Sequence, residues 1–176
     1  MAAAPPPTPL RAVIFDFDYT LADASDGIVD CVGHALSAMG LPAADPAAIR
    51  RTIGLSLPRT FEALTAGLAA QQLEGRTPED FTAHFLNRSE QIMVKKTNVY
   101  TGSRDAVASL RRRGLATAIA SSKYRRRISA VLELHGLAEL FDFVVGGEDV
   151  PEGEEKPQPT PLKLAAAGLV RAVLYE

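Results

Sequence analysis

The chain has 176 residues, 47% hydrophobic and 23% charged, with a formal net charge of -2 and one cysteine. Such a length forms one ordinary domain with room for a small insertion, and buries about two thirds of the surface its unfolded chain exposes. The near-neutral charge gives no electrostatic footprint for nucleic acid or an anionic membrane, and Cys31 alone builds no disulfide framework. No apolar run reaches the ~20 residues that span a bilayer, and the N-terminus shows no basic stretch followed by an apolar export segment. The expectation is a cytoplasmic protein with no membrane or nucleic-acid partner.

Residues 1–10, MAAAPPPTPL, read as a disordered or extended leader, because three consecutive prolines bar both helix and ladder pairing. Ala12 to Phe15, AVIF, is a continuous apolar run, the signature of a parallel strand covered on both faces. From Ser25 to Met39, residues Ile28, Val32, Ala35, Leu36 and Met39 recur at helical spacing, and Gly40 closes the run. Asp45-Pro46, Ser56 and Thr77-Pro78 with Asp80 each open a further helix. Residues 22–97 are therefore expected to be helical throughout. After Tyr100 strand and helix alternate. Ser103 caps a helix ending at Gly114, LATAIA is a second strand, YRRRISAVLELHG a helix closed by Gly136, FDFVVG a third strand, TPLKLAAAG a helix, and AVLY a fourth strand. Strands separated by single helices predict a parallel, right-handed α/β sheet interrupted after its first strand by the helical block.

Ligands of an open α/β sheet collect outside the carboxyl ends of its strands. That rule selects Asp16, Asp18 and Thr20 after the first strand, Ser121, Ser122 and Lys123 after the second, and Lys156 in the loop beyond the third. Together they offer a carboxylate nucleophile, a second carboxylate, hydroxyl donors and a fixed cation, the groups required to transfer a phosphoryl group. Ionised carboxylates taken out of water cost several kcal/mol each unless a cation faces them, so positive partners are expected close by. His34, His84 and His135 are scattered over helices without metal-ligand spacing, and Arg125, Arg126 and Arg127 read as a solvated helix face. The segment Arg50 to Arg59, with a glycine between helices, is the expected place for substrate selection.

The stretch DFDYT, Asp16 to Thr20, resembles the DxDxT motif of the haloacid dehalogenase-like hydrolase superfamily. Ser121 stands where that superfamily has its second-motif Ser or Thr, and Lys156-Pro157 resembles its third-motif lysine. The helical block resembles the cap inserted after the first motif in capped subfamily I, the group of phosphoglycolate phosphatase and β-phosphoglucomutase. The resemblance implies a Rossmann-like parallel core from residues 11–21 and 98–176, with a helical cap at 22–97. It implies Asp16 as nucleophile and Asp18 as general acid and base. Thr20 would position Asp18, while Ser121, Ser122 and Lys123 would hold the substrate phosphate and Lys156 would offset the charge. Mg²⁺ on Asp16 and Asp18 is the implied cofactor, and a small phosphate ester the implied partner. The expected activity is a phosphoglycolate phosphatase-like hydrolysis. The alternatives are a β-phosphoglucomutase-like mutase and a non-catalytic, truncated relative. The last follows because the sequence stops at AVLYE, where the family's acidic fourth motif would begin; Glu148 and Asp149 resemble a segment common after the third strand, not that motif.

Overall fold

A computed structural model of the protein describes residues 10–174; the leader, apart from Leu10, lies outside them. Strand β1 (Ala12–Phe15) leads through a tight loop to β2 (Ala22–Asp23). Helices α1 (Ser25–Ala38), α2 (Pro46–Arg51), α3 (Leu57–Thr65), α4 (Ala70–Leu73) and α5 (Pro78–Ile92) follow. Then come β3 (Asn98–Val99), α6 (Ser103–Arg112), β4 (Ala116–Ala120), α7 (Arg125–Leu134), β5 (Phe143–Val145) and α8 (Thr160–Leu174). Among the described residues the main sheet has the order β1-β4-β5, parallel throughout. Phe15 lies beside Ile119, and Ala120 beside Val145, so the carboxyl ends of the three strands come together at one edge. That edge is where an open α/β sheet binds its ligand.

Asp23–Asn98 forms one compact unit, and the described residues on either side of it in the chain form the other. The helical unit has its own core of Cys31, Val32, Leu36, Phe61, Phe81 and Phe85, with the Phe61 and Phe81 rings 5.4 Å apart. Two of its helix starts follow their capping chemistry. Asp45 Oδ1 accepts from the Ala47 N–H at 3.2 Å ahead of Pro46, and Thr77 Oγ1 accepts from the Asp80 N–H at 3.1 Å ahead of Pro78. The sheet unit packs Ala118, Ala120 and Val145 against Ala165 and Leu169 of α8.

Three expectations are corrected. The block from residue 22 is not helical throughout, because Ala22–Asp23 and Asn98–Val99 pair as a two-stranded sheet. Ser103 is the first residue of α6, not its cap. Gly102, at φ 93°, turns the chain there, and the buried Ser103 hydroxyl donates to the Leu21 carbonyl at 3.0 Å. The fourth strand, AVLY, is not formed: Ala172–Leu174 belong to α8, and Tyr175 lies outside the described residues. Gly168 is not a helix stop. A Cβ there would come within 2.3 Å of the Phe143 ring, so this glycine lets α8 lie close on β5. With buried Ala165 and Leu169 four residues apart, the apolar stripe runs on past it in helical register.

Candidate active site

The loop after β1 is folded on one carbonyl. Phe17 is fully buried, and its C=O accepts from the N–H groups of Thr20, Leu21 and Ala22 at 3.3, 2.9 and 3.2 Å. Tyr19 adopts φ 60°, a left-handed conformation that costs a non-glycine residue about 1 kcal/mol or more. The turn it permits buries Phe17 between two acids that remain open to solvent, Asp16 and Asp18. Asp16 Oδ1 also accepts the Phe17 N–H at 2.7 Å.

The loop after β4 is held from the β5 side. Ser121 N–H donates to the Val145 carbonyl at 3.0 Å, and Gly147 N–H donates to the Lys123 carbonyl at 3.1 Å. The loops approach so closely that a Cβ on Gly146 would stand 2.2 Å from the Arg125 nitrogen, and one on Gly147 2.5 Å from the Ser122 oxygen. This contact explains the glycine pair. Ser121 is buried, and its Oγ accepts the Lys123 N–H at 3.3 Å.

The structure thereby brings four of the seven expected residues together in two ion pairs, with a fifth, Ser121, beside them. Lys156 Nζ lies 3.0 Å from Asp16 Oδ1. Lys123 Nζ donates to both Asp18 oxygens, at 2.9 and 3.1 Å, and sits 5.9 Å from the centre of the Phe17 ring. The positive partners demanded by the carboxylates are these two lysines, and Ser121 anchors the loop that carries one of them. Thr20 and Ser122 are exposed and take no part in the pairing. Sequence reasoning assigned Lys123 to the substrate and missed its bond to Asp18. The available signal was a lysine in the turn after β4, on the strand next to β1.

The neighbouring acids and bases are engaged elsewhere. Burial raises the Glu148 carboxyl, but the N–H groups of Arg125, Glu148 and Arg126, with the Arg125 charge, outweigh it and hold the group below its ordinary range. Asp149 accepts the Gly146 N–H at 2.8 Å and pairs with Arg125 at 3.3 Å. Both close the β5 loop, and among the described residues no cluster of three or more His, Cys, Asp or Glu side chains gathers that could hold a metal alone. In the helical unit, Arg50 is bonded to Ser25 and Asp26, which ties α2 to the first turn of α1.

An α/β protein of the Rossmann-like class, with two carboxylates after the first strand and lysines on the next two loops, is the class that fold and site define together. The haloacid dehalogenase-like hydrolase family model matches residues 13–170. A phosphoglycolate phosphatase of Cereibacter sphaeroides is 30% identical over 167 residues, covering 94% of this chain and 75% of the relative. A structure assigned as a haloacid dehalogenase-like hydrolase from Bacteroides fragilis superposes with a TM-score of 0.74 at 34% identity, over 92% of this chain and 74% of that one. A haloacid dehalogenase-like family protein from Streptococcus pneumoniae shares the fold at a TM-score of 0.70 and 18% identity, over 90% and 69% of the two chains. The chain belongs to the haloacid dehalogenase-like hydrolase family, and it spans about three quarters of the length of such relatives. No helix among the described residues is long and apolar enough to cross a membrane.

Proposed function

We propose that the protein is a Mg²⁺-dependent phosphatase that hydrolyses a small phosphorylated metabolite through an aspartyl-phosphate on Asp16, in the manner of the phosphoglycolate phosphatases it is similar to. The observation that carries this reading is the double pairing of Asp16 with Lys156 and Asp18 with Lys123 at the carboxyl edge of the sheet.

In the first step an Asp16 carboxylate oxygen forms a bond to phosphorus while the ester P–O bond breaks, and protonated Asp18 gives its proton to the departing oxygen. In the second step Asp18, now a carboxylate, takes a proton from water as the water oxygen attacks phosphorus, and Asp16 leaves with its electron pair. Dividing one displacement into two easier ones is the gain from covalent catalysis. Lys156 offsets charge on the nucleophile and the transferring group, while Ser121 and the post-β4 loop present donors to the phosphate.

Asp16 and Asp18 are hard oxygen donors with partly open side chains, and this suits an octahedral ion that keeps several waters and takes one or two carboxylates plus substrate phosphate. When bound, Mg²⁺ supplies charge neutralisation and orientation of the phosphoryl group. The helical unit, Asp23–Asn98, is read as the cap that selects the leaving group.

Phosphate release from a panel of small phosphate esters, 2-phosphoglycolate among them, tests the reading. Turnover is expected with Mg²⁺, none after chelation, and none for Asp16→Asn. An Asp16→Asn protein with full activity overturns the mechanism.

A further inference from the structure

The two ion pairs are built differently. In one, the carboxylate is the fixed member: Asp16 Oδ1 also accepts the Phe17 N–H, while Lys156 reaches it from a loop whose residues Pro151–Pro159 are all exposed. In the other, the lysine is fixed. Lys123 is bonded through its N–H to Ser121 and through its carbonyl to Gly147, its ammonium lies near the Phe17 ring, and its side chain is only 11% exposed. Asp18, 31% exposed, sits on the solvent-facing turn with Tyr19 and Thr20. An anion arriving at this edge meets two lysines already neutralised by two aspartates. Lys156 can move to it. Lys123 cannot, and becomes available only if Asp18 lets go.

We propose that Asp18 occupies Lys123 as an internal placeholder anion, and that a substrate phosphate enters by exchange, taking Lys123 and displacing the Asp18 carboxylate. Lys123 is then both a phosphate ligand and the residue that positions Asp18 until substrate is present. The exchange couples substrate arrival to release of the Asp18 carboxylate from its lysine, which frees it to take up from solvent the proton that it then gives to the departing oxygen. This deepens the phosphatase reading and rests on it.

A double-mutant cycle on inorganic phosphate binding, followed by calorimetry in Mg²⁺-free buffer so that loss of a metal ligand does not enter, tests the exchange with a readout independent of turnover. The four proteins are the parent, Asp18→Asn, Lys123→Met and the double variant, each checked for a cooperative melt. Removing the Asp18 charge lowers repulsion of phosphate in any background, so the cycle isolates the part that acts through Lys123. Asp18→Asn is expected to tighten phosphate binding about fivefold or more where Lys123 is present, since breaking a partly exposed ion pair is worth on the order of 1 kcal/mol. In the Lys123→Met background the tightening should shrink to about twofold or less. Equal tightening in both backgrounds overturns the exchange while leaving the phosphatase reading intact. A parent protein that binds no phosphate either without or with Mg²⁺ overturns both.

Discussion

The helical unit and the sheet unit both pair aspartates with basic side chains, yet the pairs serve different ends. In the helical unit Asp30 of α1 accepts from Arg88 Nε of α5 at 2.8 Å and from Lys96 Nζ at 2.7 Å. The hydrogen bond from Arg88, then that from Lys96, hold the Asp30 carboxyl below its ordinary range. These bonds join segments already packed through Cys31, Val32, Phe81 and Phe85, so they decorate an existing core. In the sheet unit Asp16 and Asp18 face lysines carried on separate loops beyond the strands, and Lys156 comes from a wholly exposed segment. A pair that spans two packed helices is a minor structural bond. A pair assembled at the carboxyl edge of a parallel sheet stands where open α/β sheets collect their ligands.

Mutations at the two places should therefore separate cleanly. Asp16→Asn should lower phosphate-ester turnover by at least about 10³-fold, as expected for loss of a nucleophile, with the thermal midpoint nearly unchanged. A drop in both would mean that the Asp16–Lys156 pair is structural after all. Phe81→Ala empties a fully buried position in the helical core and should cost about 3–5 kcal/mol, read from denaturant unfolding. Gly168→Ala forces a methyl into the Phe143 ring and should destabilise the sheet unit by about 1–3 kcal/mol.

The smallest effect belongs to Asp30. Its two bonds hold the folded-state pKa below the ordinary carboxylate value, so the stability it adds is present above that ordinary value and is lost as pH falls through the folded pKa. Asp30→Asn should cost no more than about 1 kcal/mol at neutral pH, because the pair is partly exposed. Below about pH 4 the gap between variant and parent should close. A gap that stays constant on acidification would show that the carboxylate charge contributes nothing.

The residues that meet at the strand ends were legible in the sequence because they lie on local signals: an apolar strand running into Asp16 and Asp18, a strand ending at Ser121, and a lysine beyond the next strand. Cap positions such as Asp45 and Thr77 were legible for the same reason, since a side chain bonding its own helix start needs only short-range spacing. The segment AVLY was misread because a short apolar run fits strand and buried helix equally well. Ser103 was misread because its hydroxyl found a partner 82 positions away in the chain, at Leu21.

By itself the sequence determined the alternation of elements, the helical block after the first strand and which residue types gather at the strand ends, because periodicity and capping act over a few residues. Tertiary structure alone decided which lysine faces which aspartate, why Gly146, Gly147 and Gly168 have no side chain, and that α8 continues to Leu174. Those outcomes depend on the distance between segments far apart in the chain. Only the parallel pairing of β1, β4 and β5 sets it.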